Sequence, residues 1–277
     1  MPGATNKDEI FAKLHQLPSV SAVIREVTDS FKDANVDSAT LARKIARDQG
    51  LSAKVLRIAN SPFYGLPRKV GSIQDAVIVL GFNSIRSLAL SAGFMHSFPP
   101  SPDRLFDRHA YWKRSLRVAA YARALAQCLH QDQEMAFSAG MFHDIGQLVL
   151  DVCIPEQFAR MLAQQKTSGQ SLIEAEQSLL GFDHASIGAE MARRWNFPPE
   201  IEHASRYWRM PSHEPFEPIT DIVHVAVLLE NGLSGDALIN HLPEMLRDRM
   251  RLDWARIEPA MPDPEQVDAT SDLMLTT

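Results

Sequence analysis

Ten histidines in a chain of 277 residues are the first sign of chemistry. Imidazole binds metals, moves protons near neutral pH and pairs with carboxylates. One pair stands out: His143 and Asp144 adjoin in Ser138-Ala139-Gly140-Met141-Phe142-His143-Asp144-Ile145-Gly146. Such a pair can hold one divalent ion only if other segments bring further ligands. Phe137, Met141, Asp144 and Leu148 recur at helical spacing, which predicts that Asp144 points the way the apolar side chains point. A carboxylate there is costly to bury unless it meets a cation, a metal or several donors. His184 follows Asp183 just before a run of small residues, where Asp183 reads as a helix cap and His184 either ligates or hydrogen-bonds within the core. His109, His130, His203, His213 and His241 sit near polar or proline-rich stretches and are predicted at the surface.

Other chemistries find little support. Two cysteines, Cys128 and Cys153, cannot build a disulfide framework, so a reducing cytoplasm is expected. Cys128 reads as a small core residue, and Cys153 has no neighbouring base to activate it. No phosphate-cradling glycine loop is present. Trp112 and Trp195 are expected to pack between helices.

The elements that must position these groups read as helices. The hydrophobic fraction of 45% and the charged fraction of 22% are those of a globular protein. No apolar run approaches a membrane span, and the polar N-terminal residues show no signal peptide. Long proline-free windows, 19–61, 103–154 and 156–197, leave room for helices. Val20, Val23, Ile24, Val27 and Phe31 follow helical spacing, as do Ile73, Ala76, Val77 and Leu80 after a capping Ser72. Ser115, Val118, Ala122, Leu125, Ala126 and Leu129 line another face. Stops are expected at Asn60-Ser61-Pro62 and at Gly81. The fold class is therefore all-α. Pro99-Pro100-Ser101-Pro102 divides an N-terminal helical lobe, 10–98, from a second lobe, 104–256. Residues 257–277 form an acidic tail that is expected to be disordered, with five acids and no Lys or Arg from Glu258 onward.

The net charge of −6 hides a gradient of +4 over 1–100, −3 over 101–218 and −7 over 219–277. Arg43, Lys44 and Arg47 mark the basic part, either a solvated helix face or an anion site. The acidic total and the lack of a docking motif argue against sequence-specific nucleic-acid binding.

The order of several blocks resembles one family, the HDOD signal-output domains, a branch of the HD superfamily of metal-dependent phosphohydrolases. The blocks are Leu17-Pro18, Asp48-Gln49-Gly50-Leu51 with Val55 to Ser61, and Ser72 to Gly81. They continue with Tyr111 to Ser115, Gly140 to Leu150, and Asp183 to Ala189 with Trp195. The resemblance spans nearly all of 14–230 and implies an HD-like second lobe.

It also implies which ligands are missing. His143, Asp144 and His184 stand at metal-type positions. The first histidine of an active site is matched by Arg114, a later histidine pair by Tyr207-Trp208, the closing aspartate by Val227 and a common lysine by Gln147. Arginine has no lone pair for a metal and would repel a dication. Arg114 is therefore expected to pair with Asp144 where a metal would sit. His224, one turn before Val227, reads as a buried side chain or a substitute ligand. The resemblance implies a cytoplasmic, non-catalytic regulatory module that binds a signalling protein or a cyclic nucleotide, with no membrane association and no cofactor. Input would come from a partner or ligand, since no receiver, cyclase or kinase segment is seen, and the lobe junction near 99–106 is the expected cleft. The alternative is a metal-dependent phosphohydrolase or phosphodiesterase with residual activity, in which a divalent metal is bound by His143, Asp144 and His184.

Overall fold

The computed structural model describes residues 7–13, 17, 21–32, 37–99, 105–210 and 216–275. Among these residues every regular element is helical. The first group comprises α1 (Lys7–Ala12), α2 (Ala22–Asp29), α3 (Ser38–Arg47), α4 (Gln49–Ala59), α5 (Ile73–Leu80) and α6 (Phe82–Ser97). The second begins with α7 (Arg108–Cys128), α8 (Gln133–Phe142), α9 (Gly146–Cys153) and α10 (Pro155–Ser168). It continues with α11 (Leu172–Leu180), α12 (His184–Arg194), α13 (Pro199–Tyr207) and α14 (Pro218–Glu230). Shorter helices follow: α15 (Gly235–His241), α16 (Glu244–Met250), α17 (Trp254–Ile257), a 3-10 turn at Glu258–Ala260, and α18 (Pro264–Leu275).

Local chemistry sets the boundaries. Ser72 caps α5 by accepting from the Asp75 amide, and Gly81 at φ +85° ends it. Asp48 closes α3 and caps α4 through the Leu51 amide. Asn60 ends α4, and its amide also bonds the Val70 carbonyl, tying the following loop back. The Val77–Leu80 run is helical: Val77 and Leu80, three apart, pack against the core, while Ile78 and Val79 between them are exposed.

The core is continuous across both groups. The helix α7 packs along α8 and α14, and α6 reaches across to α8. Trp112 is fully buried and donates to the Phe98 carbonyl, while Trp195 stacks edge-on against Phe94. A buried pair between Arg108 and Asp151, 2.6 Å apart, fixes the start of α7 against α9. Pro100 to Pro102 of the expected lobe boundary, and Pro18, Val20 and His213, lie outside the described residues.

The acidic tail departs from expectation. Residues 264–275 form α18, which buries Val267, Thr270, Ser271 and Met274 and packs on α4, α6 and α7. One of the carboxylates that suggested disorder, Asp268, meets cations supplied by α7. Asp268 accepts from Arg117 Nε and Nη2, each at 2.6 Å, and lies 3.2 Å from Lys113 Nζ. Asp268→Ala should speed amide exchange in α18 selectively and cost about 1 kcal/mol overall, since the pair is partly solvated. Uniform exchange across the chain would contradict this anchoring role.

Candidate functional site: a carboxylate enclosed by arginines

Asp144 sits in the turn between α8 and α9, not within one continuous helix as its spacing predicts, and is nevertheless 2% exposed. Close packing puts it there. The first residue of α9 is Gly146, and a Cβ at that position would stand 1.9 Å from the His184 carbonyl oxygen. The α8–α9 turn and the start of α12 therefore touch backbone to backbone. Asp183 caps α12 through the Ser186 amide at 2.8 Å, as its sequence position predicts, and this sets His184 facing Asp144.

The carboxylate accepts from four side chains. Oδ1 takes Trp208 Nε1 at 3.0 Å and Arg209 Nη1 at 3.0 Å. Oδ2 takes Gln147 Nε2 at 3.0 Å, Arg209 Nη2 at 3.3 Å and Arg114 Nη1 at 3.3 Å. The Arg114 contact is the one expected from the sequence, and Arg209 adds a second, two-pronged cation beside it. Arg114 is shared, because its Nε donates to Glu230 at 3.0 Å. The Arg209 guanidinium also lies 3.9 Å over the Trp208 ring. Burial opposes the charge on Asp144, but Arg209, His143 and His184 outweigh it and hold the carboxyl well below its ordinary range.

Both neighbouring histidines present Nε2 to this carboxylate at 3.5 Å. His143 uses Nδ1 on the Gly140 carbonyl at 2.6 Å, so Nδ1 carries the proton and Nε2 is a bare lone pair. His184 donates Nδ1–H to the buried Glu176 carboxylate at 2.7 Å. Burial lowers the His184 pKa, but Glu176 and Asp144 together reverse this and raise it. His143 goes the other way: burial, reinforced by Arg114 and Arg209, pushes it down to about 4.

Proton linkage gives His143 a readable signature. It binds its proton more weakly folded than unfolded, where the value is about 6.5. Its contribution is therefore intact above that pH and erodes as pH falls toward 4. Stability should drop by up to about 3 kcal/mol across this window. His143→Gln should flatten that limb of the pH–stability curve. An unchanged limb in the variant would refute the assignment.

The residues do not fit a divalent ion as arranged. Two permanent cations and two neutral donors already occupy the lone pairs of the one carboxylate between the histidines. No set of three histidine, cysteine or carboxylate side chains has metal-binding geometry among the described residues. Val227 is buried in the core. His224 turns away from Asp144: its Nδ1 pairs with the Trp208 carbonyl at 2.8 Å and steadies that residue instead. A cleft of about 250 Å³ opens beside the site, bordered by Leu105, Phe106, Tyr111, Arg114, Gln147 and Lys166, near the expected junction.

The remaining candidates lie elsewhere. Arg43 pairs with Asp37 at 3.7 Å and Lys44 with Glu26 at 2.9 Å, so two members of the basic cluster are spent locally, while Arg47 is exposed. Burial pushes the Cys153 thiol up to about 11, which removes it as a nucleophile. His203 is half-buried, not on the surface, and pairs with Thr220 Oγ1 at 2.8 Å. Sequence reasoning missed Arg209 and Glu176. Their signals were modest: Arg209 follows Tyr207-Trp208, the expected histidine-pair position, and Glu176 falls beside Ala175 and before Leu180 on a buried face.

Comparison with known proteins places the fold. A phosphohydrolase, provisionally so named, from Shewanella amazonensis SB2B is 26% identical with a TM-score of 0.81, covering 99% of this chain and 100% of its own. A signal transduction protein, likewise provisionally named, from Marinobacter aquaeolei VT8 is 22% identical with a TM-score of 0.76, covering 98% of this chain and 66% of its own. An uncharacterized Treponema pallidum (strain Nichols) protein is 22% identical over 246 residues, 87% of this chain and 47% of that protein, so the chain spans about half the length of this relative. No helix among the described residues is long and apolar enough to cross a membrane. The HDOD domain profile matches residues 17–211, and the chain belongs to the HDOD domain family.

Proposed function

We propose that this chain is a non-catalytic signal-transduction module whose HDOD domain binds a partner protein or a nucleotide second messenger. On this reading the HD-type metal site is degenerate, and arginine stands in for the metal. The supporting observation is Asp144, whose carboxylate accepts from two guanidiniums where a hydrolase relative would bind a dication. A guanidinium neutralises the buried charge but cannot generate a metal-bound hydroxide or polarise a phosphoryl oxygen. The site keeps its structural task, joining α7, the α8–α9 turn and the end of α13. Its catalytic task is lost. The cleft beside Arg114 and Lys166 leaves a place for a partner or an anionic ligand at the same junction.

A second reading has one observation in its favour. His143 Nε2 and His184 Nε2 are both buried, make no hydrogen bond and face Asp144, with Glu176 behind His184 as metal-binding histidines often have. That reading is a metal-dependent phosphohydrolase with residual activity. Hydrolysis of a generic phosphodiester with added manganese separates the two. The binding reading expects no turnover above the buffer rate, and activity abolished by Asp144→Ala would overturn it. Calorimetry with cyclic dinucleotides then divides the binding reading, a saturable heat favouring the nucleotide and its absence leaving the protein partner.

A further inference from the structure

A second cavity, of about 220 Å³, lies among the first group of helices and is bordered by Ile24 of α2, Leu51 and Lys54 of α4, and Ala92 and His96 of α6. Its floor is apolar and firmly built. A Cβ at Gly93 would fall 2.2 Å from Ile24 Cδ1, so α6 and α2 meet there without a gap. Its wall carries a cation with no charged partner. Lys54 Nζ lies 3.0 Å from His96 Nδ1 and donates to it. Among the described residues, no carboxylate forms an ion pair with Lys54. Asp48 also borders the cavity; its Oδ1 accepts from the Leu51 amide at 3.0 Å, and it forms no ion pair with Lys54. Partial burial, and then the like charge of Arg57, lower the Lys54 pKa. Asp48, Gly50 and Leu51 of the Asp48-Gln49-Gly50-Leu51 block border this cavity, and none of them takes part in the Asp144 site.

We propose that this cavity binds a small monocarboxylate with a short apolar chain, the carboxylate pairing with Lys54 and the chain lying on Ile24, Leu51 and Ala92. An apolar floor with one well-placed charge is the usual make-up of a small-molecule site. The cavity shares no bordering residue with the Asp144 cleft, so this ligand is distinct from any second messenger there. The site stands or falls independently of the reading given to Asp144.

Titration of the ¹⁵N-labelled full chain with isovalerate tests it. Saturable amide shifts should appear at residues 50–54 and 92–97. The uncharged analogue 3-methylbutanol should bind at least about tenfold more weakly. Lys54→Met should cost a similar factor. Gly50→Leu provides a second arm: a Cβ there meets only Asp48 Oδ1, at 3.7 Å, so the variant has room to fold while its side chain fills the cavity mouth. It should abolish the shifts. No saturable shift by about 20 mM isovalerate, equal binding of the alcohol, or undiminished binding by either variant would overturn the proposal.

Discussion

Arg209→Met should lower stability by about 3–4 kcal/mol at pH 7. Methionine keeps most of the packing volume over Trp208 but removes two hydrogen bonds and the nearer charge from Asp144. The carboxylate stays buried, with Arg114 as the remaining guanidinium, and Arg114 is already divided with Glu230. An uncompensated buried charge is among the largest single-residue penalties in a folded protein, and the partial exposure of Arg209 keeps the figure below the upper limit. The pH dependence follows in sign. Asp144 is depressed when folded, so its contribution is present above its unfolded value of about 3.9 and is lost as pH falls through the folded value. Removing Arg209 raises the folded value and moves the acid loss to higher pH. Asp144→Asn in the Arg209→Met background should recover about half of the loss, since it removes the stranded charge. Urea unfolding of the two single variants and the double variant measures this coupling. Additive effects would show that Arg209 is a surface residue with no claim on Asp144.

Gly146→Ala should be more damaging still, at about 4 kcal/mol or more. Most glycine-to-alanine changes in helices stabilise. Here the added methyl would enter 1.9 Å from the His184 carbonyl oxygen and 2.8 Å from the Gly188 amide nitrogen, so backbone must move against backbone. No flexible side chain can swing aside to relieve the contact. The start of α12 would be driven away from α9, separating His184 from Asp144. The variant should unfold at markedly lower urea, or fail to accumulate as folded protein. A loss below about 1 kcal/mol would mean that α9 and α12 are not held as described.

Much of this was legible in the sequence, and the reasons are physical. The all-α class followed from helical spacing and proline-free windows, and the caps at Ser72 and Asp183 are local chemistry that a sequence states openly. The burial of Asp144 followed from the apolar company it keeps, although a turn rather than a helix delivers it. Arg209 was harder to see because its role is tertiary. It lies 65 positions from Asp144, and its one local signal is its place after Tyr207-Trp208. Glu176 was hidden for the same reason, since only the fold brings it beneath the His184 ring. The tail misled because composition counts charges without their partners. Asp268 is a helix-anchoring residue once Arg117 and Lys113 face it.

On the proposed reading guanidinium, not metal, satisfies Asp144. Metal content of the purified full chain, after exposure to manganese, iron or nickel and desalting, tests it most directly, with Asp144→Ala as the control. Well under about 0.1 equivalent of any metal is expected in both proteins. A stoichiometric ion in the native chain, absent from Asp144→Ala, would contradict it.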